Sequence, residues 1–363
     1  MELLTDRRTR RKKWLWGCTG GCLGFMVAAL VLVFVLVRLA RHTVPIPPAE
    51  VFLTPRTEAF FVAKVDPEDP LTVDIPVRLV QTRALGGKVP TKSGTPLGED
   101  PEKVRGWLMK VIPMQIVVVL QPGEGQAAFD RAAVLSIKRY SRFYRFMATS
   151  YLEGAAERGE LTLERYKGAT VATPREGGTI AVIANSFLAA DSRATVTQWV
   201  DRLAQEEPTD ERRIPESGAS AELKAACELL DRSQPILFAC LNSRGRLADL
   251  LSFMPDGPAR EALASAGVAS GQVASLSGQL KSINSRDATL TLFLRCTDAA
   301  FAARLKEQLD RIAAASADAG PLREPQVALQ GETVVRVKAR VEDLPQKIAD
   351  LAQSVADRQK QGR

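Results

Sequence analysis

The chain has 363 residues, of which 45% are hydrophobic, 25% charged and 6% aromatic, and this composition excludes a wholly disordered protein. His42 is the single histidine and lies close to an apolar run, so His-based catalytic triads and His-rich zinc sites have almost nothing to be built from. The formal net charge is +7, but the first 44 residues alone carry eight Lys and Arg against two acidic residues. The rest of the chain is nearly neutral, which argues against nucleic-acid binding.

An apolar run without charges extends from residue 17 to residue 37, which is long enough to cross a bilayer as a helix. Six cations precede it, and Trp14 and Trp16 stand at its start, where indoles favour the membrane interface. We predict a basic cytoplasmic tail over 1–13, a transmembrane helix over 14–39 and an extracytoplasmic remainder. A cleaved signal peptide is the weaker interpretation because no small-x-small cleavage site follows before Pro45.

Two Gly-x-x-x-Gly spacings occur in this predicted span. They are formed by Gly17, Gly20, Gly21 and Gly24. Such spacings allow a second helix to approach closely, so a homodimer through this face is one hypothesis. The alternative is that glycine is simply frequent in membrane helices.

Residues 40–58 contain four prolines and are expected to form an extended stalk that holds the domain off the bilayer. Strand character follows at residues 59–65, 73–80 and 114–120. Residues 82–106 are expected to form a long exposed loop, since they are rich in Gly and Pro.

The most distinctive surface pattern runs from residue 138 to residue 146, where cations and aromatic residues are interleaved. The cations are Lys138, Arg139, Arg142 and Arg145, and the aromatic residues are Tyr140, Phe143, Tyr144 and Phe146. On a helix the aromatic residues fall on one side, and Lys138, Arg142 and Arg145 fall on another. One hypothesis is a surface for anionic lipid or a protein partner. The other is a core helix whose aromatic face packs on the sheet.

The C-terminal half contains an internal repeat. Alternating apolar residues at 290–296 and at 335–341 each predict a half-buried strand, and each is followed by an amphipathic helix. A further candidate strand precedes each of them, and residues 179–203 show the same order. Strand-strand-helix units of this kind predict an α+β fold, in which a mostly antiparallel sheet carries helices on one face.

A polar stretch interrupted by prolines covers residues 207–220. We interpret it as a linker between a first α+β domain, 59–206, and a second α+β domain, 221–363. A single domain with a merged sheet is the alternative.

Three cysteines lie outside the predicted span: Cys227, Cys240 and Cys296. The expectation is buried free thiols, and a bridge between Cys227 and Cys240 is the one disulfide that an oxidising compartment would favour. Recognised catalytic motifs such as Gly-x-Ser-x-Gly, Cys-x-x-Cys and His-Glu-x-x-His are absent from the sequence. We therefore predict no catalytic residue, cofactor or metal site, and the acidic residues near Asp66 and near Glu153 are interpreted as solvated carboxylates.

Two segments carry a resemblance to a known family. They are Tyr166-Lys167-Gly168-Ala169-Thr170-Val171 and the stretch from Ala181 to Ser192, followed by the helix through Trp199. In these the chain resembles a family of uncharacterised bacterial membrane-anchored envelope proteins, which is defined as a domain of unknown function. The resemblance implies location and architecture, and it provides no catalytic motif.

These observations favour a non-catalytic binding or scaffold module of the cell envelope, anchored in the cytoplasmic membrane by one span. Its expected partners are the lipid bilayer and an envelope protein. The alternatives are a carrier of an apolar ligand or lipid, which needs a closed apolar cavity, and a hydrolase that works without histidine, which needs shielded carboxylates in a cleft.

Overall fold

The computed structural model describes residues 43–81, 101–111, 113–123, 129–205, 218–245, 247–248, 258–268, 270–316 and 322–361. These residues form twelve strands: β1 (Ala59–Val65), β2 (Met114–Pro122), β3 (Phe129–Ile137), β4 (Leu161–Tyr166), β5 (Ala169–Pro174), β6 (Thr179–Ile183), β7 (Ser186–Ala190), β8 (Ile236–Leu241), β9 (Val273–Ser282), β10 (Ala288–Cys296), β11 (Leu322–Gln330) and β12 (Val334–Val341). They also form eight helices: α1 (Pro70–Gln81), α2 (Pro101–Val111), α3 (Ser141–Glu157), α4 (Arg193–Gln205), α5 (Ala221–Cys227), α6 (Pro258–Ser265), α7 (Ala299–Ser316) and α8 (Leu344–Gln361). Short 3-10 turns occur at Ala49–Phe52 and Ser243–Gly245.

All twelve strands belong to one antiparallel sheet, in the order β11-β12-β10-β9-β8-β1-β2-β3-β7-β6-β5-β4. β1 pairs with β2 on one side and with β8 on the other, so this strand joins the two halves of the chain. The segments proposed above as two domains thus contribute to one continuous sheet, and the domain bounds remain a prediction. The α+β class and the antiparallel pairing agree with the sequence analysis.

Strand-strand-helix order recurs along the chain, as the repeat predicts. The units are β9-β10-α7 and β11-β12-α8 in the C-terminal half, and β2-β3-α3 and β6-β7-α4 in the N-terminal half. In each unit a hairpin offers an apolar face, and the following helix places its own apolar stripe on the sheet. The same local pattern therefore produces similar local structure four times.

Helices cover both faces of the sheet, which differs from the expectation of one covered face. Alternate strand residues point to opposite faces. Face A carries Phe60 and Val62 of β1 and is covered by α4 and α5. Face B carries Val65 of β1 and Met114 of β2 and is covered by α1 and α2, with α3, α6, α7 and α8 on the same side. Because Trp199 of α4 is fully buried among face A side chains, this face has an apolar core of its own.

Two sequence expectations near the N-terminus are wrong. Residues 73–80, which the alternation predicts to be a strand, lie in helix α1. Of the predicted loop over 82–106, residues 101–106 lie in α2 and residues 82–100 lie outside the described residues. In α1 the alternating apolar residues serve two clusters at helical spacing: Leu71 and Ile75 pack in one, and Val73 and Val77 in the other. Asp69 starts the helix, since its carboxylate accepts the backbone N–H of Leu71 at 3.1 Å.

The proline-containing segment before β1 is packed into the domain and does not form a free stalk. Val51, Phe52 and Leu53 are buried. The indole Nε1 of Trp199 donates to the carbonyl of Phe52 at 2.8 Å, and the Arg202 guanidinium donates to the carbonyls of Val51 and Leu53 at 2.8 and 2.5 Å. Helix α4 thus holds this segment against face A.

In the part of the chain that the structure describes, no helix combines the length and apolarity needed to cross a membrane. The predicted span over 14–39 lies outside the described residues. The same is true of the glycines proposed for self-association, Gly17, Gly20, Gly21 and Gly24.

Candidate functional site

Helix α3 presents large apolar side chains to solvent. Phe146 is 66% exposed, Met147 52% and Tyr151 70%, and Phe143 is also exposed. The spacing of three, four and eight residues from Phe143 places these side chains on one side of the helix. We call these four residues, together with the exposed cations Lys138, Arg139 and Arg142, the α3 surface.

The sheet contacts a different stripe of this helix. Leu152 is buried and Ala148 packs beside it, against Ala172 of β5 and Val182 of β6. Small residues on both partners allow the helix to approach the sheet closely. The helix therefore has two apolar stripes, and the exposed one is the stripe that contains most of the aromatic residues. The expectation that the aromatic face packs on the sheet holds only for Tyr144, which contacts the cluster around Ile137.

Three of the four proposed cations remain on this surface. Among the described residues, the side chains of Lys138, Arg139 and Arg142 have no ion-pair or hydrogen-bond partner. Arg145 is different, since its guanidinium donates to the carbonyl of Gly168 at 2.9 Å and ties α3 to the β4–β5 turn. The proposed cluster is thus split into three solvated cations and one structural arginine.

The α3 surface lies beside the first described residues of the chain. The backbone N–H of Val44 donates to the carbonyl of Lys138 at 3.1 Å. The Asn185 side-chain amide donates to the carbonyls of Pro45 and Ile137, both at 3.1 Å. Residue 44 follows the predicted span, which ends at residue 39, by five residues, and five extended residues reach at most about 18 Å. The geometry therefore keeps the start of α3 close to the end of that predicted span.

The segment that carries the family resemblance forms a tight turn. Lys167 and Gly168 both have positive φ, 45° and 78°, as a two-residue hairpin loop requires. The Tyr166 hydroxyl donates to the Asp201 carboxylate at 2.8 Å, and the Lys167 ammonium lies 2.9 Å from the same carboxylate. These contacts lower the pKa of Asp201, with the hydrogen bond from Lys167 as the largest cause. This cluster therefore has a structural role, since it fixes the turn between β4 and β5 to α4.

A second candidate site is an open groove on face A in the C-terminal half of the sheet. It encloses about 680 Å³ and is lined mainly by polar and cationic side chains of β9, β10 and β12, among them Gln279, Lys281, Thr291, Arg336 and Lys338. Among the described residues that line it, Asp231 is the one acidic residue. The groove differs from the closed apolar cavity that a lipid carrier needs and from the paired carboxylates that a hydrolase needs.

The acidic residues considered in the sequence have structural contacts. Asp69 caps α1 and accepts the Ser282 hydroxyl at 2.6 Å, and Asp74 pairs with Arg105. Glu153 and Glu160 pair with Arg165 and Arg158 at 3.3 and 2.5 Å. Across the described residues, no group of three or more His, Cys, Asp or Glu side chains is arranged to hold a metal ion.

The three described cysteines are free thiols. Cys240 packs on face B, whereas Cys227 packs against the face A core, so the sheet separates the two thiols proposed as a disulfide. Burial raises the pKa of Cys227 to about 12 and that of Cys296 to about 11. Neither thiol is activated as a nucleophile.

Comparison with protein-family models, with curated proteins and with solved structures finds no match for this chain. Sequence reasoning identified the α3 cations and the aromatic residues between them, but it left open whether the aromatic face meets solvent or the sheet, and it did not predict the groove. The signal for the stripe was present, since α3 has apolar residues on two sides. The groove depends on which strands pair, and local sequence contains no signal for that.

Proposed function

We propose that this protein is a single-pass, membrane-anchored binding module of the cell envelope, without catalytic activity, whose folded domain lies directly against the bilayer through the α3 surface. The N-terminus is cytoplasmic in this proposal and the domain is extracytoplasmic. The observation that carries the proposal is the solvent exposure of Phe143, Phe146, Met147 and Tyr151 beside unpaired cations.

The chemistry of this surface suits the headgroup region of an anionic membrane. Aromatic and other large apolar side chains partition into the boundary between headgroups and acyl chains, and nearby cations attract anionic lipid. Each cation near such a surface contributes about 1 kcal/mol. The packed segment before β1 adds a second argument, because it keeps the domain near the end of the predicted span.

Oxidation of Met147 tests this proposal in the full chain. The protein is placed in nanodiscs that contain phosphatidylglycerol and, separately, in detergent micelles, and methionine oxidation by a water-soluble oxidant is measured by mass spectrometry. Met109 of α2, which is 43% exposed, serves as the internal reference. We expect Met147 to be protected several-fold in the anionic nanodiscs and Met109 to be oxidised at a similar rate in both.

Paired substitutions connect the protection to the α3 surface. Phe143→Ser with Phe146→Ser removes two apolar side chains and is expected to abolish the protection of Met147. The matched control is Leu329→Ser, which removes an exposed leucine from β11 at the opposite edge of the sheet. Equal oxidation of Met147 in both environments, or unchanged protection in the double variant, would contradict the proposal.

A further inference from the structure

The groove on face A exists because the two halves of the sheet are covered differently. In the N-terminal half, α4 follows β7 and packs on face A with Val196, Trp199 and Val200. In the C-terminal half, α8 follows β12 and packs on face B, where Leu344 contacts the cluster around Leu71. The core of face A ends at Phe293 and Val334. Beyond these residues, the face A side chains of β9, β10, β11 and β12 line the open groove.

The strand register arranges the groove residues in rows. Thr291 of β10 lies between Gln279 of β9 and Lys338 of β12. In the next row, Thr289 lies between Lys281 and Arg340. Neighbouring strands are about 4.8 Å apart, so each row spans roughly 10 Å. In each row a threonine hydroxyl lies between two longer polar side chains, which are an amide and a cation in the first row and two cations in the second. These side chains stand on interior strands of the sheet.

The groove has an excess of positive charge. Within the described residues, the side chains of Arg336 and Lys338 have no ion-pair or hydrogen-bond partner. Lys281 faces Asp231, whose pKa is lowered mainly by hydrogen bonds from Ser233 and Gln234, with a smaller contribution from Lys281. Arg340 is already paired with Asp287 at 2.6 Å. The cations available to a ligand are therefore Lys281, Arg336 and Lys338.

The floor of the groove favours one class of ligand. Strand addition requires an edge strand, and β9, β10 and β12 are all interior strands. Protein partners use clusters of aromatic or aliphatic anchors in pockets. In the described lining of this groove, Phe293 is almost fully buried, and Ile283 is the one large apolar side chain that is exposed. Threonine hydroxyls and glutamine amides bind hydroxyl groups, and Lys and Arg bind carboxylates. We propose that the groove binds a carboxylate-bearing oligosaccharide.

The test uses isothermal titration calorimetry of the full chain in phosphatidylcholine nanodiscs. The probe is tetragalacturonate, and the comparison ligands are maltotetraose, which lacks the charge, and tetraglutamate, which lacks the sugar hydroxyls. We expect tetragalacturonate to bind more tightly than either by at least about tenfold, and to bind more weakly as the salt concentration rises. Absence of tetragalacturonate binding at low salt would overturn the proposal, and so would equally tight binding of tetraglutamate.

The matched variants are Arg336→Glu with Lys338→Glu in the groove, and Arg311→Glu on α7. Arg311 lies on a helix that covers face B, and its pair with Glu307 at 3.9 Å is highly exposed. The groove variant is expected to weaken tetragalacturonate binding by at least about tenfold, and the α7 variant by less than about twofold. Circular dichroism checks that each variant is folded. If the glutamate variant of the groove does not fold, Arg336→Gln with Lys338→Gln is used in its place.

Unchanged binding in the groove variant would overturn this assignment. The Phe143→Ser, Phe146→Ser variant is expected to bind the probe normally, so a failure of the membrane proposal and a failure of the groove proposal give different results.

Discussion

The contact between Trp199 and the segment before β1 is testable by one substitution, Trp199→Phe. The Trp199 side chain is fully buried and donates to the Phe52 carbonyl at 2.8 Å. It also packs edge-on against the Phe52 ring, with the ring centroids 5.5 Å apart. Phenylalanine at position 199 keeps an aromatic contact but loses the hydrogen bond and part of the volume.

The expected loss follows from these two changes. A buried carbonyl without a partner costs about 1–3 kcal/mol, and the lost ring volume of roughly 40 Å³ costs about 1 kcal/mol. The sum, about 2–4 kcal/mol, corresponds to a decrease in Tm of about 4–8 °C for a domain of this size. Differential scanning calorimetry of the full chain in detergent measures the shift.

A second readout locates the effect in the segment itself. Limited chymotrypsin digestion is expected to cleave after Phe52 faster in the Trp199→Phe variant, because the segment opens more often. Phe146→Leu serves as the control, since Phe146 is 66% exposed and such a change alters stability by less than about 0.5 kcal/mol. A Tm shift below about 1 °C with unchanged cleavage would refute the reasoning that α4 holds this segment.

Three further predictions concern the sheet, the thiols and one ion pair. Gly278→Ala is expected to lower Tm by about 2–6 °C, because a Cβ there would overlap the Phe238 ring and lie 2.8 Å from Leu292. The control is Gly106→Ala, where a Cβ would meet nothing within 4 Å, and this variant should leave Tm unchanged or raise it. Cys227 and Cys296 have pKa values of about 12 and 11, so both thiols should resist alkylation by iodoacetamide at pH 8 in the folded protein and react in denaturant. Rapid labelling of the folded protein would contradict the burial of these thiols. The pKa of Asp287 lies below its ordinary value of 3.8 because of its hydrogen bond with Arg340, so its contribution to stability is present above that value and is lost as pH falls through the lowered pKa. Urea unfolding of the wild type and of Asp287→Asn should therefore differ at pH 7 and converge as the pH falls below the lowered pKa, and a difference that persists under the most acidic conditions would contradict this assignment.

Sequence periodicity predicted the strand-strand-helix units well, because each unit is local. Alternation at residues 290–296 and the helical spacing after it correspond to β10 and α7. The same reasoning failed at α1, where the order Val73, Asp74, Ile75 resembles a strand. There the alternating apolar residues contact two separate clusters, and only the tertiary structure shows that both exist.

The candidate sites were less predictable than the fold. Local sequence identified Lys138, Arg139 and Arg142, but it could not decide which apolar stripe of α3 contacts the sheet. That choice depends on the small side chains of Ala172 and Val182 beneath the helix. Prediction of the groove would require knowledge of strand pairing between segments that are far apart in the sequence. Lys281 and Lys338 belong to strands that lie on either side of β10 only in the folded sheet.

Contact between the α3 surface and the bilayer is central to the proposed function, and photocrosslinking tests this contact directly. The full chain is reconstituted with phosphatidylglycerol that carries a photoreactive group near the headgroup, and the crosslinked residues are identified by mass spectrometry. We expect crosslinks at residues 143–151 of α3, with few at the groove residues Arg336 and Lys338. Crosslinks that avoid α3, or that are equally frequent at the groove, would show that the α3 surface is not the membrane-facing surface.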